Sequence, residues 1–202
     1  TAISKFKRQG GKFISVNPVR TGYSAIADEW VPIRPGTDGA LMLAITHEII
    51  KQGLYDREFL VDYTNAAELV NLDAGSNDYG MFLRTNKPVE EGCFDPQNKL
   101  WWDRKTNGPV DVRCEGCDPF LLGSYEVDGK PVKTAFQMLK ERVEEYTPEW
   151  AECITGIPAD GRASAELLGS LLEVLCQALD VDVIDTRGRL TVGRCSQYFV
   201  VR

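Results

Sequence analysis

Residues 12–50 read KFISVNPVRTGYSAIADEWVPIRPGTDGALMLAITHEII, and this stretch decides the fold. KFISV alternates in polarity and ends in a β-branched residue, which predicts a buried strand. Asn17-Pro18 ends that strand, because proline cannot continue a central ladder and restricts the residue before it. Residues 29–33 predict a second short strand, weakened by Pro32. From Asp38 apolar side chains recur at helical spacing, so the stretch ends in a helix, for which Gly53 supplies a natural stop.

The order of these elements predicts the fold class. A further short helix is expected over DREFLVDY, residues 56–63, so the first part of the chain reads strand, turn, strand, turn, helix, helix. This order is typical of α/β proteins. We therefore predict a Rossmann-like layered sheet with flanking helices. The ligands of such folds lie beyond the carboxyl ends of the strands.

Three parts are predicted along the chain. Residues 1–70 form the strand-turn-helix part. Residues 71–130 are rich in Gly, Asn, Asp and Pro, which indicates an insertion of loops and short strands rather than a second core. Within this segment, Asp128-Gly129 predicts a hairpin turn. Residues 131–202 predict a helical part, with helices over 134–146, after Thr147-Pro148 and over 163–179, followed by a divergent tail that alternates like strands.

Composition excludes some classes of function. The chain has 202 residues, 43% of them hydrophobic, which is enough for a packed core. Its formal net charge is −7, and an acidic surface repels phosphate backbones, so a nucleic-acid partner is not expected. No run of apolar residues is long enough to cross a bilayer, so no membrane insertion is predicted. The sequence leaves a cytoplasmic or a periplasmic location open.

The turn PGTD, residues 35–38, is the first candidate ligand contact. Backbone amides at a helix N-terminus are unpaired and carry partial positive charge, which suits anions. Gly36 allows a close approach of the backbone to a ligand. Asp38 presents two acceptor oxygens that match the paired donors of a guanine base. The alternative is that Thr37 or Asp38 only caps the helix.

The turn VNPVRT, residues 16–21, is the second candidate. A polar residue at the carboxyl end of a strand is where α/β folds hold a ribose hydroxyl, and Asn17 stands there. Arg20 suits a phosphate, and Thr21 adds a hydroxyl. The alternative is an ordinary turn that ends a strand. No GxGxxG follows the strand, so a standard NAD fingerprint is absent.

The two turns together resemble one protein family. VNPVRT, then AIADEWVPIRPGTDGALMLAITHEII, then GLYDREFL is similar to the molybdopterin oxidoreductases of the dimethyl sulfoxide reductase family. The likeness covers residues 1–70 and continues more loosely through residues 118–123 and 125–160. The resemblance implies that the chain holds the guanosine and phosphate end of a bis-molybdopterin guanine dinucleotide cofactor carrying molybdenum or tungsten. The implied cofactor-binding residues are Asn17, Pro18, Val19, Arg20, Thr21, Gly36, Thr37 and Asp38.

The resemblance also implies a larger parent enzyme. Family members often open with a cysteine motif for an iron–sulfur cluster, and they carry the ligand of the metal upstream of the matching segment and another domain downstream. We therefore expect a fragment whose partners are the remainder of the parent oxidoreductase or other subunits. No catalytic and no metal-ligating residue is predicted here, and the chain alone is expected to be inactive. Residues 161–202 have no family counterpart.

Two alternatives remain from the residues themselves. A stand-alone nucleotide-binding or interaction module without redox activity explains the same turns. RCEGCD, residues 113–118, contains a CxxC pair, Cys114 and Cys117, which suits a redox or zinc module or else two ordinary thiols. The even count of six cysteines leaves their pairing open. His47, the single histidine, is expected at the surface or boundary of its helix.

Overall fold

A computed structural model describes residues 2–85, 98–159 and 199–201. The chain divides into two compact units, one formed by Thr1–Leu54 with Val143–Arg202 and the other by Tyr55–Arg142. The elements in chain order are α1 (Ala2–Arg8), β1 (Lys12–Val16), a 3₁₀ helix (Gly22–Ile26), β2 (Glu29–Val31), α2 (Asp38–Gln52), α3 (Arg57–Tyr63), β3 (Leu69–Asn71), β4 (Leu100–Asp103), β5 (Gly108–Asp111), β6 (Ser124–Val127), β7 (Lys130–Thr134), α4 (Ala135–Val143), α5 (Pro148–Thr155) and β8 (Phe199–Val201).

The first unit contains a sheet covered by helix α2. Strand β1 lies between β2, which runs parallel to it, and β8, which runs antiparallel. Helix and sheet share one apolar core, whose buried members are Ile14, Val31, Ile33, Leu41, Ile45 and Ile157. The parallel pair followed by a packed helix confirms the α/β prediction.

Two helix boundaries in this unit, the end of α2 and the start of α5, show the capping residues that the sequence indicates. Gly53 ends α2 in the left-handed conformation at φ 68°, where glycine carries no Cβ penalty. Thr147 begins α5, and its hydroxyl accepts a hydrogen bond from the Trp150 amide, with Pro148 in the first turn. These two boundaries lie where the sequence predicts them.

The second unit has its own core, so the prediction of an insertion without a core is wrong. Strands β3, β7 and β6 form an antiparallel sheet, and β4 and β5 form a separate hairpin. The buried cluster combines residues from inside and outside 71–130, namely Leu69, Leu83, Val127 and Val132. Because β3 and β7 flank the Gly- and Asn-rich segment, the composition of that segment alone does not reveal the core.

Turns and caps fix the register of this second unit. Asp128 and Gly129 have φ angles of 51° and 75°, so the predicted hairpin turn between β6 and β7 is confirmed. The helix predicted over 134–146 is shorter, because Thr134 belongs to β7. The Thr134 hydroxyl accepts from the Gln137 amide at 3.2 Å and so begins α4.

The predicted helix over 163–179 lies outside the described residues. The same holds for the predicted strands of 181–202, except for β8. In the part of the chain that the structure describes, no helix combines the length and the hydrophobicity needed to cross a membrane. The division into 1–70, 71–130 and 131–202 stays a prediction.

Candidate functional site

The two candidate turns leave the same edge of the sheet. Strands β1 and β2 are parallel, and their last residues, Val16 and Val31, are paired in register. The ladder extends one step further, since the Asn17 amide donates to the Val31 carbonyl at 3.1 Å. The carboxyl ends of neighbouring parallel strands are where α/β folds bind ligands, so both turns start from such an edge.

Asn17 builds the first turn with its own side chain. Its Oδ1 accepts a hydrogen bond from the Val19 amide at 3.0 Å, and its backbone carbonyl accepts from Trp30 Nε1 at 2.8 Å. The Thr21 amide donates to the Val19 carbonyl at 3.0 Å. Such an Asx turn fixes the backbone locally while leaving the Asn amide nitrogen to point elsewhere. Among the described residues none accepts a hydrogen bond from Asn17 Nδ2.

The rest of this turn faces solvent. Pro18, Val19, Arg20 and Thr21 are all exposed, and Val19 has 58% of its surface accessible. The Arg20 guanidinium lies 5.9 Å from the centre of the Trp30 ring, a loose cation–π contact. A cation and a hydroxyl therefore stand at the strand edge, accessible to a ligand.

The second turn requires its glycine for conformation and not for space. Gly36 has φ 77°, and an added Cβ would have no atom within 4 Å. The Thr37 hydroxyl donates to the Arg34 carbonyl at 2.7 Å, and the Thr37 amide donates to the same carbonyl at 3.3 Å. The turn is therefore closed from within, and open space remains over Gly36.

Asp38 begins α2 without capping it. Thr37 occupies the N-cap position, but no side-chain hydrogen bond caps the helix. Asp38 is exposed, and within residues 2–85 and 98–159 its carboxylate makes no hydrogen bond or ion pair. The backbone amides of Asp38 and Gly39 likewise have no backbone acceptor among those residues. The interpretation of this turn as a plain helix cap therefore receives no support from the cap geometry.

Arg34 anchors the second turn, which the sequence did not single out. Its Nη1 donates to the carbonyls of Cys153 at 2.8 Å and Ile154 at 3.2 Å, at the carboxyl end of α5. The Arg34 amide also donates to the Thr155 carbonyl at 3.0 Å. Cations at a helix C-terminus satisfy its unpaired carbonyls. Arg34 thus positions the turn and is not a free phosphate ligand; no local pattern signals this, because its partners are more than 100 residues away.

Asp28 fixes the start of β2 against β1. Its carboxylate accepts from the Phe13 amide at 2.8 Å and pairs with the Lys7 ammonium at 2.8 Å. The hydrogen bond from Lys7, followed by that from Phe13, lowers the pKa of Asp28 below its ordinary value. Since the registers of β1 and β2 bring their ends together, this pairing indirectly positions the two turns.

A small groove lies in the first unit between α2 and α5. Its walls are apolar apart from Glu48 and Thr155, and no predicted site residue lines it. Burial raises the pKa of Glu48, but hydrogen bonds from Gln52 at 2.7 Å and Lys51 at 3.0 Å outweigh burial and lower it. The charge is therefore already satisfied within α2.

The remaining candidates from the sequence are His47, the cysteines and possible metal ligands. His47 is buried, with Nδ1 2.8 Å from the Val143 carbonyl, so the prediction of a surface or boundary residue is wrong. Its partner lies on a distant segment, which one sequence does not show. Cys114 and Cys117 form a disulfide, and Cys153 is an exposed free thiol. Within the described ranges, no cluster of three or more His, Cys, Asp or Glu side chains is placed to hold a metal ion.

Comparisons with known proteins give one consistent family. The family model for molybdopterin oxidoreductases matches residues 2–149. A sulfite dehydrogenase chain of Allochromatium vinosum is 68% identical over 160 residues, covering 79% of this chain and 16% of the relative. The alpha chain of the perchlorate reductase of Dechloromonas aromatica is 35% identical, covering 78% of this chain and 20% of the relative. A putative dimethyl sulfoxide reductase catalytic chain of Halobacterium salinarum is 35% identical, covering 76% and 18%.

The chain spans a fifth or less of the length of these curated relatives. The matched region nevertheless includes both turns, β1, β2, α2 and the whole second unit. A family model that covers most of the chain agrees with relatives that all are named as chains of oxidoreductases. The chain belongs to the molybdopterin oxidoreductase family.

Proposed function

We propose that this chain holds the guanosine and phosphate end of a molybdopterin guanine dinucleotide cofactor between its two turns. The turns are Asn17–Thr21, after β1, and Gly36-Thr37-Asp38, before α2. Family membership makes a molybdopterin cofactor the expected ligand of the parent enzyme. The location and the individual contacts are the proposal.

The main observation in support of this proposal is that the exposed Asp38 carboxylate has no hydrogen-bond partner among the described residues. A carboxylate in the first turn of a helix is ordinarily explained as a cap, yet here no cap bond forms and the side chain is exposed. Two backbone amides without backbone acceptors stand beside it. A single ligand that presents paired donors and an anion satisfies both features.

Each proposed contact follows from the chemistry of its side chain. Asp38 accepts from the N1–H and the exocyclic amine of guanine, a bidentate pair that adenine cannot offer. The amides at the start of α2 receive a phosphate oxygen, helped by the helix dipole. Arg20, whose guanidinium is exposed, supplies a second contact to phosphate.

Asn17 and Thr21 complete the proposed nucleotide-binding site at the end of β1. Asn17 Oδ1 is engaged by the Val19 amide, so the Nδ2 hydrogens are what it offers to a ribose or phosphate oxygen. The exposed Thr21 hydroxyl is suited to the same ribose. Both residues lie on the strand edge from which the second turn also leaves.

The work of these residues is binding and orientation. When bound, the cofactor supplies two-electron redox chemistry through its metal, and the protein supplies position and electrostatics. Holding the nucleotide end at a rigid sheet edge fixes where the distant pterin end lies. Oxidation or reduction of a small substrate is accordingly a proposal for the parent enzyme, as is its association with other subunits, since the relatives are named as subunits.

The test is nucleotide binding by the isolated chain. Titration with GDP should change the fluorescence of Trp30, whose ring contacts Arg20 and whose indole nitrogen is bonded to the first turn. ADP should bind at least tenfold more weakly, because its base lacks the paired donors. Asp38→Ala should remove this preference, by about 1.5–3 kcal/mol for hydrogen bonds to a charged group.

Asp62→Ala is the matched control, since it removes an equally exposed carboxylate from α3 in the other unit. It should leave GDP binding unchanged. Equal affinities for GDP and ADP, or an Asp38→Ala chain that still prefers GDP, would contradict the proposal. Binding of neither nucleotide would favour an interaction module instead.

A further inference from the structure

The Cys114–Cys117 pair lies outside the proposed cofactor site and is not explained by it. Both cysteines belong to the second unit, in the loop after β5, and are bonded to each other with Cα atoms 5.6 Å apart. Both residues are half-buried. We propose that this pair is a reversible dithiol–disulfide site for reductants of the thioredoxin class.

The small size of the ring argues against a purely structural staple. Only Glu115 and Gly116 separate the cysteines. The entropy that a disulfide removes from the unfolded chain grows with the length of the loop it closes, so this bond constrains little. CxxC spacing is instead typical of pairs that exchange with other thiols.

Cations lie beside the two cysteines, although the loop also carries the Glu115 and Asp118 carboxylates. The Lys105 ammonium donates to the Gly116 carbonyl, which lies between the two cysteines. Arg113 directly precedes Cys114 and has a left-handed backbone at φ 58°. Nearby cations favour the thiolate, the form that reacts in exchange.

The closed loop positions a charged junction. Asp118 follows Cys117 directly, and its amide donates to Asp103 Oδ1 at 2.7 Å. Its carboxylate pairs with Arg57 and with Arg104, the latter at 3.4 Å. Reduction of the disulfide releases Cys117, the residue directly before Asp118. The hydrogen bond from the Asp118 amide to Asp103 is therefore weakened when the disulfide is open.

The exchange is balanced by a dithiol partner. One thiolate of the reductant attacks a sulfur of the pair, which breaks the Cys114–Cys117 bond and forms a mixed disulfide. The second thiol of the reductant then displaces the remaining sulfur. Two electrons and two protons reach Cys114 and Cys117, and the reductant leaves as its own disulfide.

The experiment uses dithiothreitol and iodoacetamide on the folded chain. Both cysteines lie in one tryptic peptide, residues 114–133, so a single mass reports the pair. Before reduction this peptide should carry no label, and after reduction under native conditions it should carry a label on each cysteine. The exposed Cys153 thiol should be labelled in both samples and serves as the internal control.

A second readout follows the Asp118 amide by hydrogen exchange. Reduction should speed its exchange by tenfold or more, whereas a Cys114→Ser/Cys117→Ser chain should exchange rapidly with or without reductant. Full labelling of the pair before reduction, or labelling only after denaturation, would overturn the proposal. So would unchanged exchange at Asp118 in the reduced chain.

Discussion

Asn17 offers the sharpest test of whether the first turn binds a ligand or only ends a strand. Its Oδ1 stabilises the turn through the Val19 amide at 3.0 Å, whereas Nδ2 has no acceptor in the described part of the chain. Asn17→Ala removes both functions, and Asn17→Asp keeps the acceptor but replaces the donor by a negative charge. The two variants therefore separate folding from binding.

The expected magnitudes follow from that geometry. Asn17→Ala loses one solvent-exposed hydrogen bond, about 0.5–1 kcal/mol of unfolding free energy. Asn17→Asp should stay within about 0.5 kcal/mol of the wild type, since the charged oxygen still accepts from Val19. Its affinity for GDP should nevertheless fall at least tenfold, about 1.4 kcal/mol, because a donor is lost and the new charge faces phosphate.

Urea unfolding measures the first quantity and a GDP titration measures the second. Asn65→Asp adds the same charge at an exposed position of the second unit and should change neither. If Asn17→Asp bound GDP as tightly as the wild type does, Asn17 would stabilise the turn only and would not contact the nucleotide.

Substitutions at three further sites, namely Gly36, Asp103 and the Glu68–Lys99 pair, probe the framework. Gly36→Ala should cost about 1–2 kcal/mol, since φ is 77° while space is open; Gly36→Asn should cost less in the same urea experiment. The backbone amides of Asp118 and Thr106 hold the pKa of Asp103 at about 2, so stability should fall between pH 4 and pH 2, and less steeply in Asp103→Asn. Glu68→Gln should cost about 3–5 kcal/mol, because it removes the negative charge that lies 2.7 Å from the buried Lys99 ammonium, whereas joint replacement of both by apolar residues should restore much of the loss. The expectations would be contradicted if the stability of the wild type did not fall between pH 4 and pH 2, or if Glu68→Gln were as stable as the wild type.

The direction of the Asp103 prediction follows from linkage. A carboxyl whose folded pKa lies below its ordinary value of 3.8 binds fewer protons in the folded state than in the unfolded state. Its contribution is fully present above pH 4 and is lost as the pH falls through the folded value. Thermal unfolding across that range measures the slope directly.

Local signals in the sequence were sufficient for the framework of the site. KFISV predicted β1, Asn17-Pro18 predicted its end, and Gly53 predicted the end of α2. Each depends on a backbone preference of a few neighbouring residues, which one sequence displays. The same holds for the Asp128-Gly129 turn and for the Thr147 cap.

Long-range partners could not be predicted in this way. Arg34 bonds to carbonyls of α5, and His47 bonds to the Val143 carbonyl 96 residues away. Neither contact follows from spacing or composition. The core of the second unit was missed for the same reason, because two of its four buried members lie outside the Gly- and Asn-rich segment.

The most direct test of the proposed nucleotide-binding site between the two turns is an amide NMR titration of the chain with GDP. A nucleotide bound there should shift Val19, Arg20 and Thr21 and the amides of Gly36 to Gly39 most strongly, with the Trp30 indole N–H moving alongside them. Shifts confined to the groove between α2 and α5 or to residues 55–142, or none at millimolar GDP, would contradict it.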